Sequence, residues 1–432
     1  MSDAPNQFNS APRSKDPGGA FLGFTGSSPS HNSRAMQAGG NGGLYRSGDH
    51  SFLAEMVCHQ VAATHFAAWI DLSNRAIEPN VFLDPAFVLP AIRHFALSRP
   101  PAFLLVWENA AGEPRKLLGL CPVLIPRRVF GATLARAWLH EHASVGAPLI
   151  DRARAVETMD FMLDWLCREH AHVTGLLFSK LRHNGPIMSL LEARAVITGC
   201  DIRLFDQHER AMLSRGIDGR TAVQTAFSSK KLKELRRLRR RLEDKGKLVY
   251  RSAGTCGEVY AAGERFLTLE AAGWKGQRGT ALLSDEGVAA FTREMTSCLA
   301  REGKCRIDTI ELDGRPVAIC IILQSSCCAY LWKITYDERH AANSPGVQLL
   351  LDITKRQLAD ERVVFTDSCA IPDHPMIDRI WRDRLPVTDA LIATHARATR
   401  KFFLAAAAES ARRNLRALAK ASFYRVTGRK KV

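Results

Sequence analysis

Two stretches of this chain repeat one pattern, and the repeat limits the folds that the chain can adopt. Residues 176–194 read as an apolar strand, a polar turn and a helix that begins at Pro186, and residues 363–384 repeat this order with a helix that begins at Pro375. Upstream, each copy has a two-stranded hairpin, a strand with a tryptophan and an amphipathic helix (103–126, Trp138 and 155–169; 306–324, Trp332 and 346–361). The tryptophans at 138 and 332 are 194 positions apart, an offset typical of a duplicated domain and far longer than a solenoid repeat.

The two copies differ where the last strand gives way to the turn. The second copy has polar and titratable side chains that the first lacks: Asp367, Ser368, Cys369, Asp373 and His374, against Lys180, Leu181, Arg182 and Gly185. This difference predicts that the second half holds the working site and that the first half is its structural partner.

The positive charge of the chain is concentrated in two segments. The formal net charge is +16; residues 229–247 hold ten lysines and arginines against three acids, and residues 397–432 hold eleven against one. The remainder is close to neutral, which excludes a diffuse polyanion-binding surface and leaves one helix and one tail as candidates.

The composition is that of an ordinary globular protein, with 46% hydrophobic and 24% charged residues. No apolar run reaches the roughly 20 residues of a membrane span. The N-terminus has none of the features of a signal peptide, and the eleven cysteines form no C-x-x-C pair. We therefore expect a cytoplasmic protein with reduced thiols.

The pattern divides the chain into four segments. Residues 1–50, which hold nine of the thirty glycines, are expected to be disordered. Residues 51–215 and 216–396 would form two domains, and residues 397–432 a basic helical tail. Within the domains we expect a helix over 52–70, a helix over 375–384 and a last strand near 389–394.

The order of elements, and three blocks in particular, carry a resemblance to a known family. The order is similar to the GNAT acetyltransferase fold, and LEAAGWKGQRGTAL, YDERHAANSPGVQLLLDI and DSCAIPDHPMIDRIWRDR resemble the bacterial GNAT-type proteins called CelD or BcsL. The tandem copies also resemble, more distantly, the FemABX aminoacyltransferases. The resemblance implies an α/β fold with mixed sheets, built as two tandem GNAT-like domains.

For function, the resemblance implies an acyltransferase that uses acetyl-coenzyme A as donor, with no metal. Its acceptor would be an amine or hydroxyl of a sugar or polysaccharide precursor in cellulose or exopolysaccharide synthesis, with polysaccharide synthase components as partners. One departure is plain: the usual phosphate loop, Gln/Arg-x-x-Gly-x-Gly/Ala, is reduced here to a single glycine.

The segment before the helix at 346–361 is the candidate donor site. A helix start offers unpaired N–H groups and a partial positive charge, which suit a pyrophosphate. The candidates are Asn343, Ser344, Gly346 and Val347, with Trp332 and Ile334 of the preceding strand lining the acyl group. The alternatives are a plain Ser-Pro-Gly helix start and a strand that simply packs in the core.

A glycine-flanked loop is the candidate acceptor site. Trp274 and Lys275 would contact the acceptor, and Glu270 would be a general base. The alternatives are a capped helix end and a solvated helix carboxylate.

The cluster after the last strand of the second copy offers further chemistry. His374 or Asp367 would accept the acceptor's proton, and Cys369 would contact the substrate or act as a nucleophile. Alternatively, Asp367 and His374 only hydrogen-bond the turn. Zinc is not expected, because Cys369 and His374 lack an evident third ligand.

The basic helix at 229–247 leaves several interpretations open. Its leucine stripe (Leu232, Leu235, Leu238 and Leu242) favours a bridge between the domains. Its cations could instead receive an anionic acceptor or a nucleic acid, although no DNA-binding motif is present. The basic tail is compatible with anionic lipid at the inner face of a membrane, or with a solvated terminus. Two rival functions remain, a FemABX-like transferase that uses charged tRNA and a non-catalytic scaffold of a polysaccharide synthase.

Overall fold

The computed structural model describes residues 44–47, 50–94, 100–110, 115–126, 133–216, 221, 225–395 and 400–427. The disorder expected for residues 1–50 falls outside this range, except at 44–47 and 50, which are strand. Within the described residues, no helix has both the length and the apolar character needed to cross a bilayer.

The first half contributes eight strands and five helices in the described range. They are β1 (Leu44–Ser47), β2 (His50–Val57), α1 (His59–Thr64), α2 (Phe66–Arg75), α3 (Pro85–His94), β3 (Ala102–Ala110), β4 (Lys116–Leu124), β5 (Thr133–Ala137), β6 (Leu149–Ile150), α4 (Ala155–Glu169), β7 (Val173–Arg182), α5 (Pro186–Thr198) and β8 (Ile202–Ser214). The expected helix over 52–70 is wrong in its first part, because 50–57 forms β2. Phe52 and Ala54 are buried on one face of β2, and all of β2 pairs with β3, so tertiary pairing decides the structure of this segment.

The second half contributes the remaining elements. They are α6 (Ser229–Glu243), β9 (Leu248–Ala253), α7 (Cys256–Ala272), α8 (Trp274–Gln277), α9 (Glu286–Arg301), β10 (Cys305–Leu312), β11 (Arg315–Ser325), β12 (Cys328–Tyr336), α10 (Pro345–Ala359), β13 (Phe365–Asp367), β14 (Asp383–Ala393) and the tail helix α11 (Arg400–Thr427). Helix α11 lies within the segment for which a helical tail was predicted.

The helix expected over 375–384 is wrong. Only a 3-10 turn forms there, at Ile377–Arg379, and the last strand starts at Asp383 instead of near 389. The indole of Trp381 is buried and donates to the Thr354 hydroxyl at 2.9 Å. The residues from Asp383 onward pair with β8. The short turn is what brings β14 back into the sheet.

All the described strands lie in one sheet, in which the last strands of the two halves are exchanged. The order is β1-β2-β3-β4-β5-β7-β14-β8-β13-β12-β11-β10-β9, with β6 paired to β4. Strand β14, from the second half, pairs antiparallel with β7 of the first, whereas β8, from the first half, pairs with β13 of the second. The two exchanged strands also pair with each other. Strand pairs therefore form between residues on opposite sides of position 215, where the repeat predicted a boundary between two domains.

The basic helix α6 packs within the second half. Leu235, Leu238 and Leu242 are buried, and the Gln348 side chain of α10 donates to the Leu235 carbonyl at 2.9 Å. Arg239 pairs with Asp352 of α10 at 2.8 Å. Its leucines thus attach α6 to α10. Leu235 and Leu242 also share a hydrophobic cluster with Ala211 and Leu213 of β8, so a bridge between the domains stays a prediction.

A buried ion pair fastens the exchanged strand β8 to the end of β13. The Arg210 guanidinium donates to the Asp367 carboxylate, and both side chains are almost completely buried. Arg210 also donates twice to the Ser144 carbonyl of the first half, each time at 3.1 Å. One guanidinium thus joins β8, β13 and a loop of the first half.

Removing one partner of this pair will destabilise the fold strongly, because the other charge is left buried and alone. We expect Arg210→Met and Asp367→Leu each to lower the free energy of unfolding by about 3–5 kcal/mol, and the double variant to recover much of the loss. Urea unfolding measures this. The surface pair Arg362–Asp360 is the matched control, where Arg362→Met should change the free energy of unfolding far less, because the Arg362 side chain is exposed to water. Equal losses at the two sites would contradict this account.

Candidate functional site

The site opens where two parallel strands diverge. Strands β12 and β13 pair only from Cys328 to Tyr330 on β12. Beyond Tyr330 that edge of β12 pairs with no other strand of the described residues, and a cleft of about 1060 Å³ lies between it and residues 368–377. The register with β11 skips Trp332, which is a bulge in β12, and a bulge changes the direction of the neighbouring side chains.

Ten of the twelve predicted site residues line this cleft. They are Glu270, Trp274, Lys275, Trp332, Ile334, Ser344, Gly346, Val347, Cys369 and His374. Asn343 and Asp367 do not line it, and both are buried. The structure therefore brings together the three blocks that were singled out in the sequence.

The N-terminus of α10 forms one end of the cleft. Ser344 precedes the helix with a φ of 51°, and the first helical hydrogen bond runs from the Gln348 N–H to the Ser344 carbonyl at 3.1 Å. Pro345 has no N–H, so Gly346 and Val347 supply the N–H groups of the first turn. A Cβ at Gly346 would lie 3.3 Å from the Tyr336 ring, which leaves little room for any larger residue.

Asn343 has a structural role. Its side-chain oxygen accepts from the Lys245 ammonium at 3.1 Å, and its amide donates to the Leu238 carbonyl at 3.3 Å. The residue therefore ties the loop before α10 to helix α6, and its side chain is not free to bind a donor.

The predicted acceptor side consists of α7 and α8. The Glu270 carboxylate is buried, and it accepts from the Lys275 ammonium at 2.6 Å and the Leu282 N–H at 2.8 Å. It is neither a solvated carboxylate nor an unpaired base. The Trp274 ring is 37% exposed and lies 5.0 Å from the Arg278 guanidinium, so it offers a stacking surface at the mouth of the cleft.

The loop after β13 is held by its own polar side chains. Besides its pairing with Arg210, Asp367 accepts from the Cys369 N–H at 2.8 Å. Nδ1 of His374 accepts from the Met376 and Ile377 N–H groups, both at 3.3 Å. Because Nδ1 acts as an acceptor, the neutral ring carries its proton on Nε2, which leaves no free lone pair for a substrate. This is the alternative in which Asp367 and His374 hydrogen-bond the turn.

Cys369 is a protonated thiol in this setting. Burial raises its pKa to about 12, and the nearby Asp367 carboxylate acts in the same direction. A thiol with such a pKa holds very little thiolate at neutral pH, and the thiolate is the nucleophilic form. The geometry does not favour the nucleophile interpretation.

Lys333 is the lining residue that sequence reasoning missed. It stands in the apolar strand AYLWKITY and lines the cleft, where no carboxylate of the described residues forms an ion pair with it. Burial lowers its pKa, and the nearby Lys275 lowers it further. Strict alternation places Lys333 on the face opposite Trp332 and Ile334, and the bulge at Trp332 could not be inferred from the sequence.

The corresponding gap between diverging parallel strands in the first half is filled by the chain itself. Strands β5 and β7 pair in parallel as far as Arg136 and Leu177. Beyond that point the Lys180 ammonium donates to the Ala143 carbonyl at 2.8 Å, and a Cβ at Gly146 would lie only 2.2 Å from the Ser179 carbonyl oxygen. The loop packs too closely against β7 for a ligand to enter between them.

Comparison with known proteins agrees with this geometry. Residues 229–366 match the family described as the acetyltransferase (GNAT) domain, and no curated protein matches the chain. Because the second half matches this domain and the first repeats its topology, the chain has a mixed α/β fold with two GNAT-like halves. This is an acyltransferase fold.

Three solved structures are similar over most of their length. FemX is 8% identical, with 76% of this chain and 95% of FemX covered and a TM-score of 0.49. A tandem GNAT protein from the clavulanic acid biosynthesis pathway is 17% identical, with 79% and 99% covered and a TM-score of 0.36. The C-terminal domain of a protein described as a putative lysylphosphatidylglycerol synthetase from Agrobacterium fabrum is 13% identical, with 77% and 92% covered and a TM-score of 0.44. Nothing about donor or acceptor follows from likenesses this remote.

The lowered pKa and the tautomer of His374 predict how the stability of the fold depends on pH. Burial lowers the pKa of His374 below its usual 6.5, partly opposed by Asp378, so the folded protein binds the proton less readily than the unfolded chain. The contribution of the neutral His374 ring to the free energy of unfolding is therefore fully present above pH 6.5. It is lost as the pH falls through the pKa of His374 in the folded protein. We expect imidazole NMR to show a neutral ring with the proton on Nε2 at pH 7, and His374→Ala to remove part of the acid sensitivity of unfolding. A proton on Nδ1 at pH 7 would contradict the assignment.

Proposed function

We propose that this protein transfers an acyl group, in the simplest case acetyl, from coenzyme A to an amine or hydroxyl acceptor. The observation that carries the proposal is the cleft between the diverging strands β12 and β13, with a helix N-terminus at one end. One cavity would thus combine a helix N-terminus that suits an anion, the unpaired edge of β12 and a wall far from the opening. The match of residues 229–366 to the GNAT domain supports the same reaction class.

The donor's pyrophosphate would lie at the start of α10, where the N–H groups of Gly346 and Val347 and the helix dipole favour negative charge. The arm that carries the thioester would follow the free edge of β12, past Ile334 towards Trp332. Backbone N–H groups on this edge would polarise the thioester carbonyl as its oxygen becomes negative. The Trp332 indole is itself fixed, because its N–H donates to the His142 carbonyl of the first half at 2.9 Å.

The acceptor would enter over Trp274 and Lys275, on the side of α7 and α8. A tryptophan face suits a sugar ring, and the resemblance of the three sequence blocks to CelD and BcsL supports a sugar of a polysaccharide precursor as acceptor. In that setting the enzyme would act with the components of a polysaccharide synthase. Asp367, Glu270 and His374 would hold the walls of the cleft through their contacts with Arg210, Lys275 and the backbone of the turn.

The closeness of Gly346 to Tyr336 tests the donor site. Any larger residue at 346 must displace the Tyr336 ring or project into the space proposed for the pyrophosphate. We expect Gly346→Val to weaken acetyl-coenzyme A binding in calorimetry by about tenfold or more, or about 1.4 kcal/mol. The control is Gly257→Ala in α7, where an added Cβ meets nothing within 4 Å. Unchanged affinity in a folded Gly346→Val protein would place the pyrophosphate elsewhere.

One observation favours a second candidate, transfer of an aminoacyl group from charged tRNA. Helix α6 carries exposed cations at Arg236, Arg237, Arg240 and Arg241, and Lys245 just after it binds Asn343 in the loop before α10. A polyanion bound along α6 would therefore lead to the mouth of the cleft. No aromatic side chain stands among these cations to stack on bases, which favours coenzyme A.

Charge removal on α6 separates the two donors. If coenzyme A alone is the donor, replacing these four arginines by glutamine should leave acetyl-coenzyme A affinity within about twofold, because the cations do not line the cleft. Binding of tRNA that falls steeply with salt, and is lost in this variant, would support the tRNA donor. Fluorescence titration at two salt concentrations measures both. The control variant replaces the exposed tail residues Arg416 and Lys420 by glutamine.

A further inference from the structure

The cleft contains a lysine that forms no ion pair within the part of the chain that the structure describes. Lys333 lines the cavity, its nitrogen lies 5.5 Å from the centre of the Trp332 ring, and no described carboxylate pairs with it. Lys275, the other lysine of the lining, is paired with Glu270. Any role of Lys333 in the chemistry rests on the proposed acyl transfer and adds a named residue to it.

The position of Lys333 along β12 places it near the reacting end of the donor. Tyr336, at the end of β12, packs against Gly346, the proposed pyrophosphate site. Strands rise about 3.3 Å per residue, so Lys333 lies about 10 Å further in, towards the point where β12 and β13 meet. A donor anchored by its pyrophosphate and extended along β12 would present its thioester in this region.

The other proton acceptors predicted for the site are already engaged. Asp367 is bound by Arg210, Glu270 by Lys275, and Nδ1 of His374 by two backbone N–H groups. Cys369 holds its proton because burial raises its pKa. Among these groups and Lys333, only the lysine is held by no hydrogen bond or ion pair within the part of the chain that the structure describes.

The electrostatic surroundings of Lys333 act in both directions. Burial is the largest influence and lowers its pKa, the positive charge of Lys275 lowers it further, and three groups on the surrounding elements oppose this: Glu270, Cys369 and Glu141. The nearby His142 of the first half has its pKa lowered by burial and by Lys333. The net effect lowers the pKa of Lys333 below its usual 10.5, which increases the share of the neutral amine, the form of lysine that can accept a proton.

We propose that Lys333 is the general base of the reaction. Its neutral amine takes the proton of the acceptor as the acceptor's nitrogen or oxygen bonds to the thioester carbon. The carbon–sulfur bond then breaks, and coenzyme A leaves as a thiolate. The Lys333 ammonium returns the proton to the thiolate, which yields free coenzyme A and restores the neutral amine.

Chemical labelling tests the protonation state without knowledge of the acceptor. Acetic anhydride acylates an amine only in its neutral form, so the pH dependence of labelling at Lys333, followed by mass spectrometry, reports the pKa of this residue. We expect half-maximal labelling at a lower pH than for a lysine-containing reference peptide in the same tube. A thioether analogue of acetyl-coenzyme A, which cannot transfer its acyl group, should slow labelling about 100-fold at about 100 times its Kd. A midpoint equal to or above that of the reference peptide overturns the proposal.

Calorimetry with the same analogue separates this inference from the proposed function. If the analogue does not bind to the wild-type protein, the coenzyme A donor is wrong. If it binds and protects Lys333, yet the labelling midpoint is ordinary, only the role of Lys333 is wrong.

Two substitutions distinguish a base from an anchoring cation. We expect Lys333→Met and Lys333→Arg both to keep the affinity for the analogue. Both should abolish release of coenzyme A from acetyl-coenzyme A with a panel of amino sugars, because a guanidinium cannot accept a proton at neutral pH. Rescue by arginine would show that positive charge is what the site needs and would overturn the proposal. Lys333→Met should also raise the melting temperature, since it replaces a largely buried polar group by an apolar one.

Discussion

The antiparallel pairing of β8 with β14 is the constraint on which the rest of the structure depends. Each strand is the last of its half, and each has left its own half to pair with the other. Two domains that exchange strands cannot move independently, because each sheet is completed by the partner's chain. The exchange also places Arg210, a residue of the first half, against Asp367 at the end of β13, so the site in the second half is assembled on a part of the first.

This dependence explains why so many polar groups around the cleft are already bound. The loop after β13 must leave the sheet sharply, and Cys369 and Asp373 both have positive φ angles, which cost energy for residues other than glycine. The hydrogen bonds of Asp367 and His374 hold that conformation. The side chains that look most reactive in the sequence therefore keep the wall in place, whereas Lys333, in an apolar strand, forms no ion pair with any described residue. A residue left in that state lowers stability, and a role in catalysis would account for its presence.

The sequence predicted the local elements well and the long-range pairings poorly. Helix α4 has the predicted ends, because hydrophobic periodicity and turn residues are local signals. The three sequence blocks do converge on one cleft. The exchange of β8 and β14 was not visible, because the residues of a strand do not show which of two similar edges it will join. The bulge at Trp332 was also hidden, since it depends on the register with β11. Each failure affected the interpretation of the site. The strand exchange explains why Asp367 is already paired, and the unseen bulge is why Lys333 was not predicted to line the cleft.

The duplication explains why the gap between diverging parallel strands is closed in the first half and open in the second. A pair of parallel strands that diverge leaves a gap in either half, and a gap lined by unpaired backbone groups needs either a ligand or a filler. In the first half the loop at 143–146 fills it, with Gly146 small enough to lie against Ser179. The same loop also contacts the exchanged strand β8, because the Ser144 carbonyl accepts from Arg210. Closing the first gap thus supplies part of the frame that holds the second one open, which is a physical reason for a chain with one site to retain two halves.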